Sequence, residues 1–263
     1  MDQDTKRDQR DFWSTAEPGT SVSQATTPLA DAALSSSPEV LISAAANRCL
    51  TEDLALALLK RADLPAEALE ALSKHPSTLK SRKVRLRVVA HPKTPRHISL
   101  PLLRPLFTFE LMNLAVMPAV PADVKKSAED TLILRLESIS LGEKVSLARR
   151  ASGAVAGALL GEKDPRIITA SLNNSRLTEA HVIRALARSD SIPSLVDAVC
   201  HHEKWPLSRE VQLALLRNQH TPMAKALTFA QAIPSEIVRE VLHASHLPEN
   251  IKQYLIDNLN HRT

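Results

Sequence analysis

The sequence predicts an all-α protein, an α-solenoid of short helices built from two tandem homologous halves. Three observations predict it. Aromatic residues make up 3% of the 263-residue chain and there are only 5 glycines, whereas strands and their turns draw on aromatic, β-branched and glycine residues. Residues 37–63, SPEVLISAAANRCLTEDLALALLKRAD, are written again as residues 164–190, DPRIITASLNNSRLTEAHVIRALARSD. Most of the 17 prolines stand where a helix would begin, a position that tolerates proline because its missing N–H would be unpaired there anyway.

The two stretches align without a gap. Pro38 falls on Pro165, Asn47 on Asn174, Leu50-Thr51-Glu52 on Leu177-Thr178-Glu179, Arg61 on Arg188 and Asp63 on Asp190, an offset of 127 residues (177 − 50). The same offset carries Ser81-Arg82 onto Ser208-Arg209, Thr94-Pro95 onto Thr221-Pro222 and Pro121 onto Pro248. The duplicated unit is therefore 37–133 and 164–260, with residues 134–163 as a junction and 164–263 as the whole second half.

Taken in order, residues 1–36 are Ser-, Thr-, Ala- and Asp-rich, with 3 basic and 6 acidic residues. Such a tail buries too little apolar surface to offset its chain entropy and is expected to be disordered. Within it Phe12-Trp13 reads as an aromatic pair that packs back on the body, or as a short motif for a partner. From residue 37 helix starts recur. Ser37-Pro38, Thr94-Pro95, Asp164-Pro165 and Thr221-Pro222 pair a capping residue with proline. Leu64-Pro65, Val120-Pro121, Ile192-Pro193, Ile233-Pro234 and Leu247-Pro248 mark starts without the ideal cap.

Val84, Leu86 and Val88 alternate like a strand, yet at the same offset they meet Val211, Leu213 and Leu215 in SREVQLALLRNQ, a helical pattern; residues 81–90 are therefore read as helix. Ala46-Asn47-x-x-Leu50-Thr51, Ala90-His91-x-x-Thr94-Pro95 and Val116-Met117-x-x-Val120-Pro121 share one plan of helix end, short turn and helix start. Units this short cannot bury an apolar stripe alone and must stack on neighbours. The junction holds four of the five glycines, Gly142, Gly153, Gly157 and Gly161. Ser140-Leu-Gly-Glu143 spells a capping box, and Gly153-x-x-x-Gly157 lets another backbone approach closely, which predicts tight helix–helix packing between the two copies rather than a ligand site.

The turns AHPKTP, LNNSRLTE and RNQHTP resemble the connections of HEAT-like α-solenoids, above all the leucine-rich-repeat-variant type. Together with SLGEKVSLARR they are similar to a group of uncharacterised bacterial helical-repeat proteins. The resemblance covers nearly all of 37–260 and implies a superhelix of stacked short helices; it implies no activity. The proline pair Pro101 and Pro105, where the second copy has Thr228 and Ala232, departs from the repeat and predicts an interrupted helix.

Net charge is +4, and the excess is local: residues 37–133 carry 14 basic and 10 acidic residues, 134–163 carry 5 and 3, and 164–263 carry 11 and 10. The densest run is Lys80, Arg82, Lys83, Arg85 and Arg87, joined as candidate partner-binding residues by Arg149, Arg150 and Arg209. Such a run suits phosphates or an acidic partner; the plainer reading is a solvated helix face, since Lys83, Arg85 and Arg87 become Glu210, Gln212 and Ala214 in the second copy. Cys200-His201-His202 resembles a metal cluster on paper, but adjacent helical side chains diverge by about 100° and cannot converge on one ion. Trp205 reads as a core plug rather than a surface anchor. No nucleophile elbow, phosphate loop, dinucleotide fingerprint or H-E-x-x-H motif is present.

These features predict a non-enzymatic scaffold or adaptor, without metal or cofactor, that binds a protein or peptide. Nucleic-acid binding through the basic face of the first half is the alternative. Two cysteines at non-equivalent positions suggest a reduced, cytoplasmic setting, and no apolar run is long enough for a membrane span.

Overall fold

The computed structural model describes residues 31–32, 34–75 and 80–260. Among them the chain forms sixteen α-helices and two 3-10 turns, with no strand. The chain is all-α, as its composition predicts. The acidic stretch 1–36, with Phe12-Trp13, lies outside the described residues except for 31, 32 and 34–36. No described helix is long and apolar enough to cross a membrane.

The chain divides into two compact units, one ending at Pro95 and one starting at Arg96. The first holds α1 (Pro38–Ala45), α2 (Glu52–Leu58), α3 (Ala66–Lys74) and α4 (Arg82–Ala90). The alternating Val84–Val88 segment is thus helical; Val84, Val88 and Val89 all face inward and are buried. Helix α1 packs on α3 and α2 on α4. Each helix is two to three turns long and buries one narrow apolar stripe, as Leu69 and Leu72 do for α3, so its stability comes from the stack.

The second unit holds α5 (Arg96–Leu103), α6 (Thr108–Val116), α7 (Ala122–Arg135), α8 (Leu141–Arg150), α9 (Gly153–Leu159) and α10 (Pro165–Leu172). They are followed by α11 (Glu179–Leu186), α12 (Pro193–His201), α13 (Arg209–Arg217), α14 (Met223–Ala232), α15 (Ser235–His243) and α16 (Glu249–Asn260). Its helices pack on the next but one. One row runs α5, α7, α9, α11, α13, α15; the other runs α6, α8, α10, α12, and α14 packs on α16. Between α12 and α13 a single 3-10 turn, Trp205–Leu207, packs on both. Trp205 is its anchor, 1% exposed, with Nε1–H donating to the Leu172 carbonyl at 3.1 Å. It is a core plug.

A recurring tie holds the stack in register. A polar side chain just after one helix donates to a carbonyl at or just after the end of the helix two before it. His75 Nε2 reaches the Asn47 carbonyl (3.0 Å) and His91 Nε2 the Arg61 carbonyl (2.8 Å). Asn174 Nδ2 reaches the Ala148 carbonyl (2.7 Å), and Asn218 Nδ2 the Leu186 carbonyl (2.7 Å). Arg135, the last residue of α7, spans the turn after α5 by bonding the carbonyls of Arg104 and Leu106. Asn174 and Asn218 are buried, so each replaces water that the carbonyl has lost.

The proline starts are helical starts, but their caps differ from the capping expectation. Asp164 Oδ1 accepts from the Arg166 amide (2.9 Å), whereas Ser37 makes no side-chain cap. Thr94 and Thr221 turn the other way: each buried hydroxyl donates backward, to the carbonyls of Val88 and Leu215. Burial explains it. A buried hydroxyl beside the open carbonyls of the preceding helix satisfies them, while the proline that follows has no amide to offer. Ser140 and Glu143 do form the capping box that opens α8. Pro101 lies inside α5, which ends two residues later at Leu103, whereas α14, which has no internal proline, continues to Ala232.

Gly153 and Gly157 let α9 approach α11. A Cβ at Gly153 would meet the Arg176 carbonyl oxygen and lie 2.8 Å from His181 Cε1, and one at Gly157 would lie 3.1 Å from His181 Cβ. The ring that fills this space is also a cap. Thr178 donates its amide to His181 Nδ1 (3.3 Å), and its hydroxyl lies 2.8 Å from the same nitrogen, so a histidine takes the place of the usual capping-box carboxylate.

Candidate partner-binding surfaces

The basic residues singled out in the sequence fall on three helices in two units. Arg82, Lys83, Arg85 and Arg87 belong to α4, with Lys80 two residues before it; Arg149 and Arg150 end α8, and Arg209 opens α13. All are exposed except Arg85, which is half-buried and whose Nε has no hydrogen-bond partner. The first turn of α4 contains no acidic residue. Within α4, Arg82, Lys83 and Arg87 share an arc of about 140° at the helical 100° per residue, opposite the buried Val84 and Val88.

Arg149 borders a shallow concavity of about 670 Å³ between α8 and α10, with Arg166, Thr169 and Asn173. Its second arginine is engaged, since Arg166 grips Asp164 through two hydrogen bonds (3.1 and 2.8 Å) and holds that carboxyl below its ordinary pKa. The same bidentate grip closes two turns: Arg61 on Asp63 and Arg188 on Asp190, with Nη2–Oδ2 distances of 2.7 and 2.8 Å. Each aspartate is lowered chiefly by its arginine hydrogen bond.

A groove of about 510 Å³ follows the α7–α9–α11 row. Lys125, Lys126, Glu129 and Asp130 of α7 form one wall, and His181 and Arg184 of α11, with Arg188 just after it, the other. Between them α9 offers only Ala154, Gly157 and Ala158, so the middle helix is recessed where its neighbours project long side chains. Among the described residues Lys126, Glu129, Asp130 and Arg184 form no ion pair within 4.0 Å. The His181 pKa lies below the ordinary histidine value, first through burial and then through Arg184, with Glu129 opposing. The sequence contains each of these residues but not their meeting, because α7 and α11 are separated by some forty residues of other helices. Only the short, Ala- and Gly-rich composition of α9 hints at a recess.

A third hollow, about 330 Å³, sits where the ends of α11 and α13 stack, lined by Ile183, Leu186, Ala214, Arg217 and His246. Phe107, Phe109 and Leu134 add exposed apolar surface around α6 and α7. The Cys200-His201-His202 run separates as its spacing predicts. Cys200 is buried, which pushes its thiol up to about 11. His201 Nδ1 bonds the Asp197 carbonyl (2.9 Å), while His202 Nδ1 accepts from the Lys204 amide (3.1 Å). Burial lowers the His202 pKa. Among the described residues no group of three or more His, Cys, Asp or Glu side chains is placed to hold a metal ion.

No family model, no curated protein and no solved structure matches this chain.

Proposed function

We propose that the chain is a HEAT-like α-solenoid of two tandem homologous halves, and that it acts as a non-enzymatic scaffold for a protein or peptide partner. The duplication is supported by helix bounds. Pro38–Ala45 and Pro165–Leu172 lie 127 residues apart (165 − 38), as do Ala66–Lys74 and Pro193–His201, Arg82–Ala90 and Arg209–Arg217, and Thr108–Val116 and Ser235–His243. Turn chemistry supports it as well. Asn47 and Asn174 each accept the amide two residues on through Oδ1 (2.9 and 2.8 Å), and the Arg61–Asp63 and Arg188–Asp190 grips repeat. Next-but-one packing is the arrangement that stacked helical repeats require.

The observation that carries the binding role is the α7–α9–α11 groove. Its floor of small side chains lets a partner's backbone come close, and its walls hold charges of both signs that fix register more than they add affinity. A photo-crosslinking side chain placed at Lys126 should capture a discrete protein in the native host. Arg184→Glu should remove that product. The reading fails if Lys126 captures no more than the same group placed at exposed Glu137, or if Arg184→Glu leaves the product intact.

A further inference from the structure

We propose that the hollow between the ends of α11 and α13 is a binding site for a small carboxylate that carries an apolar body. The site is separate from the α7–α9–α11 groove. The two share only Arg188, which is already engaged by Asp190. The apolar wall of the hollow is Ile183, Leu186 and Ala214. Its volume of about 330 Å³ is near the lower end of the range of about 300–1,000 Å³ for small-molecule sites, so the occupant is small.

Two donors on the lining lack an acceptor. Arg217, the last residue of α13, makes no ion pair and no side-chain hydrogen bond among the described residues. Ser191 is 9% exposed, and its hydroxyl accepts from Asn218 Nδ2 at 2.7 Å. Its own proton has no acceptor among the described residues, which is unfavourable for a buried hydroxyl. No acid lines the hollow. An anion is therefore what its polar side lacks, and an apolar body is what its wall accepts. A carboxylate supplies two acceptor oxygens, which suit a guanidinium. A cation would meet Arg217, and a bare phosphate would leave Ile183 and Leu186 uncovered. A peptide chain would need partners for its own amides, but the Leu186 and Arg217 carbonyls already take Asn218 Nδ2 (2.7 Å) and the His246 amide (2.9 Å). The ties between helices recur in the first half, whereas these donors do not. In the first half Leu64 (191 − 127) and Ala90 (217 − 127) stand in place of Ser191 and Arg217.

The test uses the full chain and 4-phenylbutyrate, titrated by isothermal calorimetry. It should bind with a Kd below about 1 mM. The neutral 4-phenylbutanamide, of the same shape, should bind about tenfold more weakly. Arg217→Gln should bring the carboxylate down to the level of the amide. Lys163→Gln, which removes an exposed charge elsewhere, should leave the carboxylate's affinity unchanged. Ala214→Leu should abolish binding of both compounds by filling the hollow. Circular dichroism of each variant separates lost binding from lost folding. The proposal is overturned if 4-phenylbutyrate shows no saturable binding up to about 10 mM, or if the amide binds as tightly. It is also overturned if folded Arg217→Gln or folded Ala214→Leu binds the carboxylate as the parent does. A peptide ending in phenylalanine that binds more tightly than 4-phenylbutyrate would overturn it too, by moving the occupant to a chain terminus.

Discussion

A methyl group added at Gly153 would press on the Arg176 carbonyl and on the His181 ring, whereas at Gly142 nothing lies within 4 Å. Gly153→Ala should therefore cost about 1–3 kcal/mol by overpacking, while Gly142→Ala should be neutral or stabilising by up to about 1 kcal/mol. Urea denaturation of the pair checks both. The same ring makes stability depend on pH. His181 Nδ1 accepts the Thr178 amide only when unprotonated, and burial and Arg184 hold its folded pKa low. The unfolded chain takes up the proton first, from about pH 6.5 downward. Stability is therefore fully present above about pH 6.5 and falls as pH drops from there to the lower folded value. His181→Gln, which can still accept that amide, should show a smaller loss between pH 7.5 and 5 in chemical denaturation.

At the level of helices, the ties between next-but-one neighbours decide how firmly the stack holds. Asn218→Ala strips the Leu186 carbonyl and the Ser191 hydroxyl of their buried donor, a loss of about 1–3 kcal/mol. Asn218→His should restore part of it, since His91 makes the corresponding tie to the Arg61 carbonyl. A midpoint for the histidine variant below that of the alanine variant would contradict this. Helix starts were readable from prolines because proline acts within its own turn. Thr94 and Thr221 were not, since a threonine before a proline looks the same in sequence whether its hydroxyl faces forward or back. Burial against the preceding helix decides that, and burial is not local.

For the whole molecule, the all-helical class followed from the scarcity of aromatics and glycine and from the doubled stretch, which also turned the strand-like Val84–Val88 segment into a helix. The α7–α9–α11 groove was not legible, because Lys126, Gly157 and Arg184 belong to segments unremarkable one by one. The glycine pair announced a close approach without naming His181 as what approaches. The residues from Arg96 onward form a compact unit with an apolar cluster running from Ala156 to Leu259 through Trp205. A fragment starting at Arg96 should keep its helical circular dichroism and melt cooperatively. A flat, uncooperative melt would refute this.

The reach of His91 to the Arg61 carbonyl, and of Asn218 to that of Leu186, makes the chain count its own length. One alanine inserted in the middle of α4 would swing everything after it by about 100° and carry His91 away from its acceptor. Extra residues are tolerable at exposed loop tips but not inside these measured spans.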